Sequence, residues 1–254
     1  MSTPVAAARR SSRAVVIGPG ARRALRAGAG ATAGGTVEWA FGPGGYVCFG
    51  EQYVLLAPAR SPLGPLSILV AGLVRGDLVP GDPAAVSGGA LLVGPLRIEL
   101  GPAREPPPPR AVAPAPGWED ALAAALSAVA PAPCELAPGL AALAAGDRTR
   151  AVGRLAGRGD GLTPAGDDAL AGYAAWRWSC GAPVTLPAAR CAPLGRAYLR
   201  CAERGELPQP AADVLAAIRR ADEPAAARRA RSLSEWGASS GAALLWGIAA
   251  GAAA

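Results

Sequence analysis

The stretch Arg158-Gly-Asp-Gly-Leu-Thr-Pro-Ala-Gly-Asp-Asp168 sets three glycines and a proline before two adjacent carboxylates, and an apolar run follows at once. Glycines and proline fix a tight loop, so Asp160, Asp167 and Asp168 could converge on one pocket. Three such carboxylates would orient a substrate ammonium or amide, accept a proton, or hold a divalent cation through oxygen. The plainer reading gives Asp167 the N-cap of the helix that follows and Asp168 its first position, where the helix dipole favours an acid. Two acids side by side are more than one cap requires. A second loop, Ser234-Glu-Trp-Gly-Ala-Ser-Ser-Gly241, brings small residues, two hydroxyls and free amides to the start of the last helix. Ser239, Ser240 and Gly241 there suit a phosphate or sulfate, although an N-cap alone would also explain the serines. Thr163 and Gly166 of the first loop, the guanidinium groups of Arg158 and Arg190, and Trp236 complete the candidate binding residues. The other tryptophans read as core.

What the chain lacks restricts the chemistry further. It has no lysine, histidine or asparagine, so all 25 basic residues are arginine. That removes a Schiff-base lysine, a serine or cysteine nucleophile paired with histidine, a histidine metal site and a P-loop lysine. Proton transfer falls to carboxylates or water, and no metal or organic cofactor is expected. Cys191, a thiol near a helix start, has no histidine or lysine to activate it. The five cysteines are odd in number and form no CxxC pair, so free thiols are expected.

Hydrophobic residues make up 51 % of 254 and charged residues 17 %, which excludes a disordered chain despite 34 glycines and 26 prolines. The net charge of +6 arises from six arginines that precede the first acid, Glu38. It therefore does not describe a basic face, and nucleic acid is not an expected partner. No apolar run reaches the length of a membrane span, and no secretory h-region precedes the first strand, so a cytoplasmic protein is expected.

The elements that must position the two loops divide along the chain. Residues 1–105 read as short strands punctuated by Gly and Pro: 14–17, 36–41, 46–49, 52–57, 66–70 and 90–100. They predict an antiparallel, barrel-like β-rich domain. Residues 106–116, with four consecutive prolines, predict a stiff extended linker. Residues 117–254 predict an Ala-rich helical domain carrying both loops, with helices over 118–130, 140–145, 148–156, 168–179, 189–204, 211–221, 224–233 and 241–252. The class is α+β.

The run Gly157-Arg-Gly-Asp-Gly-Leu-Thr-Pro-Ala-Gly-Asp-Asp-Ala-Leu-Ala-Gly172 resembles the GxGPGLTPSGDDxLxG signature of the domain family that includes AllH, a subunit of oxamate carbamoyltransferase. Softer likeness extends to Tyr53–Leu66, to Arg190–Arg200 and to the loop before the last helix. Departures accompany it. Ala238 stands where the family's last loop carries a histidine, Ala243 near the place of an aspartate, and Cys191 and Gly195 at places of a threonine and a serine. The resemblance implies a small-molecule substrate and a subunit of a hetero-oligomer. The expected reaction joins an amine or amide nucleophile to a substrate with a phosphate- or sulfate-type leaving group, as in carbamoyl transfer. The alternatives are a sulfate-eliminating subunit that forms an aziridine or azabicycle, similar to proteins of antibiotic assembly, and a non-catalytic structural subunit.

Overall fold

The computed structural model describes residues 10–30 and 34–254, and the chain divides into two units, 1–107 and 108–254. In the first unit, eight strands among the described residues close into a barrel: β1 (Arg10–Ile17), β2 (Gly35–Phe41), β3 (Gly44–Phe49), β4 (Gln52–Pro58), β5 (Ser67–Val70), β6 (Pro83–Ser87), β7 (Ala90–Val93) and β8 (Leu96–Glu99). Their order around the barrel is β1-β5-β4-β3-β2-β6-β7-β8. Alternate residues such as Val47, Val54, Leu56, Ile68, Val70, Leu91, Val93 and Ile98 fill the interior, the period-two pattern of a closed sheet.

The expected antiparallel barrel is thus present, with two parallel seams in it, β1–β8 and β4–β5. The reading of 90–100 as one strand is corrected. Gly94 takes φ +49° and the chain reverses there, giving the hairpin β7–β8. Two elements were not expected. One is β6; the other is the helix α1 (Pro19–Gly30), which packs Ala21, Ala24 and Leu25 into the barrel's core cluster. Part of the Arg-rich N-terminal stretch, residues 1–9 and 31–33, lies outside the described residues.

The second unit is helical: α2 (Trp118–Ser127), α3 (Ala137–Ala144), α4 (Arg148–Leu155), α5 (Ala165–Ser179), α6 (Pro193–Ala202), α7 (Gln209–Arg219), α8 (Glu223–Ser234) and α9 (Ser240–Ala253). Residues 108–117 are tied to it. Val112 N–H donates to Ser179 O at 3.1 Å and Ala115 N–H to Arg219 O at 2.8 Å, while the Arg219 guanidinium donates to Val112 O. Helix starts follow their local chemistry. Asp147 caps α4 by accepting from Arg150 N–H at 3.0 Å, and Asp222 caps α8 by accepting from Ala225 N–H at 3.1 Å. The helix expected over 189–204 is shorter, because Pro193 fits only its first turn and leaves 189–192 as a turn outside it.

Helices α5 and α9 form the centre of this unit and run parallel. Gly172 lies against Leu244 and Ile248, Gly247 against Ala169 and Tyr173, and Gly251 against Tyr173 and Trp176. A Cβ on Gly172 would stand 2.0 Å from Leu244 O, and one on Gly247 1.9 Å from Ala169 O. The two backbones touch, which only glycine allows. Gly172→Ala should accordingly lower stability by about 1–3 kcal/mol, the usual cost of overpacking a close-packed core, read from the shift in a urea-unfolding midpoint.

Candidate functional site

The parallel pairing brings the N-termini of α5 and α9 to one end of the unit. Thr163, just before α5, and Ser240, the first residue of α9, meet there with their hydroxyl oxygens 3.1 Å apart. Each helix presents a partial positive charge at its start, and here two such ends converge; of their first amides, Gly166 N–H donates to Arg158 O at 2.8 Å and Gly241 N–H to Trp236 O at 3.3 Å. Ser239 occupies the N-cap of α9 but makes no capping side-chain hydrogen bond, so its hydroxyl is not committed to its own helix. Gly241 is buried against α8, where a Cβ would stand 1.7 Å from Leu233 O.

The expected capping role of Asp167 is corrected by the structure. Pro164 takes the N-cap of α5, which places Asp167 third and Asp168 fourth in the helix. Pro164 O already receives the Asp167 and Asp168 amides. The Asp167 carboxylate is free to turn outward to other segments: it accepts from Gly157 N–H at 2.7 Å and from Ala192 N–H at 2.8 Å. It is fully buried, and burial pushes its pKa up, opposed by those two amides, by the Cys191 thiol and by the nearby Arg196 charge. Gly195 makes room for it, since a Cβ there would stand 2.4 Å from Asp167 Oδ2. Asp167 thus fastens the loop at 157 and the turn at 192 to the start of α5.

Asp168 faces the other way, toward the meeting point of the two helices. It is 6 % exposed, and its Oδ2 has no hydrogen-bond partner among the described residues. Its pKa is pushed up to about 7, chiefly by burial and further by the Asp167 charge, while the hydroxyls of Ser240 and Thr163 favour its ionised form. A buried carboxyl that titrates near neutrality is suited to move protons at that pH.

The remaining expected residues have simpler places. Gly166 is buried where a Cβ would stand 2.0 Å from Leu155 O, so it serves the approach of the 155–158 turn to α5. Arg158, Asp160 and Arg190 are exposed, and the groups that act on Asp168 are Asp167, Thr163 and Ser240, not Asp160. Trp236 is half-buried and packs at the edge of the helical core. Among the described residues no cluster of three or more His, Cys, Asp or Glu could hold a metal ion, and no helix is long and apolar enough to cross a membrane.

Sequence reasoning did not find the amides of Gly157 and Ala192 as partners of Asp167, nor the contact of Cys191 with it. Backbone donors leave no mark on residue type; Pro193, which opens α6 and keeps Ala192 out of the helix, is the available signal. Cys191 is buried, and burial together with the Asp167 charge pushes its thiol up to about 12. Iodoacetamide at pH 8 should therefore modify the exposed Cys134 and Cys180 while sparing Cys191, as peptide mass spectrometry would show.

Comparison with curated proteins and with solved structures finds no match. A family model does match, over less than half of the chain and wholly within the helical unit; Tyr53–Leu66 falls outside it. Residues 155–252, which hold both loops, helices α5 to α8 and all but the last residue of α9, match the family described as oxamate carbamoyltransferase subunit AllH.

Proposed function

We propose that this chain is a subunit of a carbamoyltransferase-like enzyme whose helical unit binds the oxyanion end of a small-molecule substrate. The observation that carries the reading is the buried Asp168 oxygen left unpartnered where the starts of α5 and α9 converge on Thr163 and Ser240. The Ser239 and Ser240 hydroxyls at the positive ends of the two helices, with Gly241 leaving the approach free of a side chain, would hold a phosphate or sulfate group. Asp168 would orient an amine or amide nucleophile and take its proton as nitrogen bonds to the carbamoyl carbon and the bond from that carbon to the phosphate oxygen breaks. Asp167 is a positioning residue in this scheme. The exposed Arg158, Asp160 and Arg190 would line the rim, where a further ligand group or a second subunit completes the site. The lack of histidine and lysine makes positioning and charge stabilisation, without a covalent intermediate, the main contributions. The same site would also serve a phosphate or sulfate ester displaced by a neighbouring amine, as in aziridine or azabicycle formation.

The exposed rim also favours a second reading, a subunit that supplies an interface and leaves catalysis to its partner. Calorimetric titration with sulfate, phosphate and carbamoyl phosphate tests the first. Saturable binding should weaken at least about tenfold when Ser239 and Ser240 are both changed to alanine, a loss equal to about 1.4 kcal/mol. Equal binding by the double variant would remove the oxyanion site from the last helix. A heteromer whose turnover survives substitution of Asp167 and Asp168 would favour the second reading.

A further inference from the structure

A buried carboxylate in the path of an anion poses an electrostatic problem. Asp168 stands at the paired helix starts with its Oδ2 unpartnered and 94 % of its surface withdrawn from water, as its 6 % exposure implies. A phosphate or sulfate brought there would meet a like charge with little solvent to screen it, and Oδ2 would face another acceptor. Both difficulties disappear if a proton lies between the two oxygens. The Thr163 and Ser240 hydroxyls carry two protons between them, and with one spent on their mutual contact a single proton remains, too few to serve Asp168 and an anion together.

Building on the anion-site reading, we infer that Asp168 makes the site proton-coupled, so that an oxyanion enters together with one proton shared between its oxygen and Asp168 Oδ2. Asp168 becomes a specificity-determining residue as well. Hydrogen phosphate brings its own proton and can donate to the ionised carboxylate. Sulfate has none to give near neutral pH, so a proton must come from the buffer and rest on Asp168. Above neutrality the site accordingly favours oxyanions that carry an O–H or N–H donor over fully deprotonated ones. A substrate of the carbamoyl phosphate type meets this condition through its amide nitrogen, whereas a sulfate ester must supply a donor elsewhere.

The surrounding charges leave Asp168 as the group that responds. Asp167, next to it on α5, is held by two amides and opposes ionisation of Asp168. Helix α9 carries no ionisable residue between Ser240 and Ala253. From α6 and the turn before it, Arg196 and Cys191 act on Asp167. From α4 and its loop, Arg154, Arg158 and Asp160 are exposed. Burial places the titration of Asp168 at about 7, which puts the effect within reach of ordinary buffers.

The experiment is isothermal titration of the purified full chain with sulfate and, separately, with inorganic phosphate from pH 6 to pH 9, each in two buffers of different ionisation enthalpy. Sulfate affinity is expected to be flat below pH 7 and to fall about tenfold per pH unit above it, with uptake of one proton from the buffer. Phosphate affinity should stay constant above pH 7.5 with no net uptake. In Asp168→Asn the sulfate dependence should vanish and the preference for phosphate at pH 8.5 should disappear. Sulfate binding without proton uptake above pH 7, or an unchanged pH profile in Asp168→Asn, overturns the inference while leaving the anion site intact. Absence of binding by either anion at every pH overturns both the inference and the anion-site reading beneath it.

Discussion

Asp167→Ala should lower the stability of the protein by about 2–4 kcal/mol, since two buried amides lose their acceptor at about 1–3 kcal/mol each while the cost of burying the carboxylate is relieved. The carboxylate receives Gly157 N–H at 2.7 Å and Ala192 N–H at 2.8 Å, and both donors face a fully buried side chain. Alanine leaves two amides without acceptors and a cavity beside Gly195, where the chain has no Cβ to fill it. Asn at this position keeps one acceptor and turns an NH2 toward the other amide, so about half the loss is expected. Urea-unfolding midpoints of the wild type and both variants at pH 7 give the comparison. A loss under about 1 kcal/mol for Asp167→Ala would mean that water reaches these amides and that Asp167 does not fasten the loops.

The two loops were visible in the sequence because they concentrate residues that regular helices avoid. Gly157 and Gly159 take φ of +73° and +107°, and a Cβ on Gly159 would stand 2.9 Å from Ala165 N, so their glycines announce the turn into α5. The helical unit was readable from its apolar runs, and the barrel from alternating Val and Leu. What escaped depends on tertiary contact. Helix α1 is rich in Arg, Ala and Gly, and the apolar contacts it makes come from two alanines and one leucine. Two adjacent aspartates match a capping pattern and so suggest too late a start for α5, while Pro164, which sets the boundary, precedes them by three residues. That shift decides the site. With the cap at Pro164, the carboxylates fall within the first helical turns, where one is drawn to the neighbouring loops and the other to the mouth between α5 and α9. Residue type could nominate Asp168 and Ser240 separately; their meeting required the parallel packing of two helices through glycine.

Asp168→Asn is expected to act in the opposite direction to Asp167→Ala, raising stability at pH 8 while reducing turnover. In the unfolded chain the carboxyl titrates in the ordinary range, and in the folded protein burial and the Asp167 charge push it up to about 7. Between those values the folded state binds the proton more tightly, so stability falls as pH rises and the penalty is complete above about pH 7. At about 1.4 kcal/mol per pKa unit the cost of ionised Asp168 reaches about 4 kcal/mol. Asn carries no charge and keeps an acceptor for the Ser240 and Thr163 hydroxyls, but its NH2 needs a partner of its own, which offsets about 1–2 kcal/mol of the gain. A net stabilisation near 2 kcal/mol at pH 8 should therefore shrink and reverse toward pH 4–5, where wild-type Asp168 is protonated. Denaturant midpoints of both proteins at pH 4.5, 6 and 8 measure it, and a difference independent of pH would show that Asp168 does not titrate in this range. If Asp168 takes the nucleophile's proton, the same substitution should reduce turnover by about 10²–10⁴, the usual contribution of a general base. A purely structural carboxylate would lose stability and activity together, whereas a variant that gains stability and loses turnover would assign Asp168 to the reaction and not to the fold.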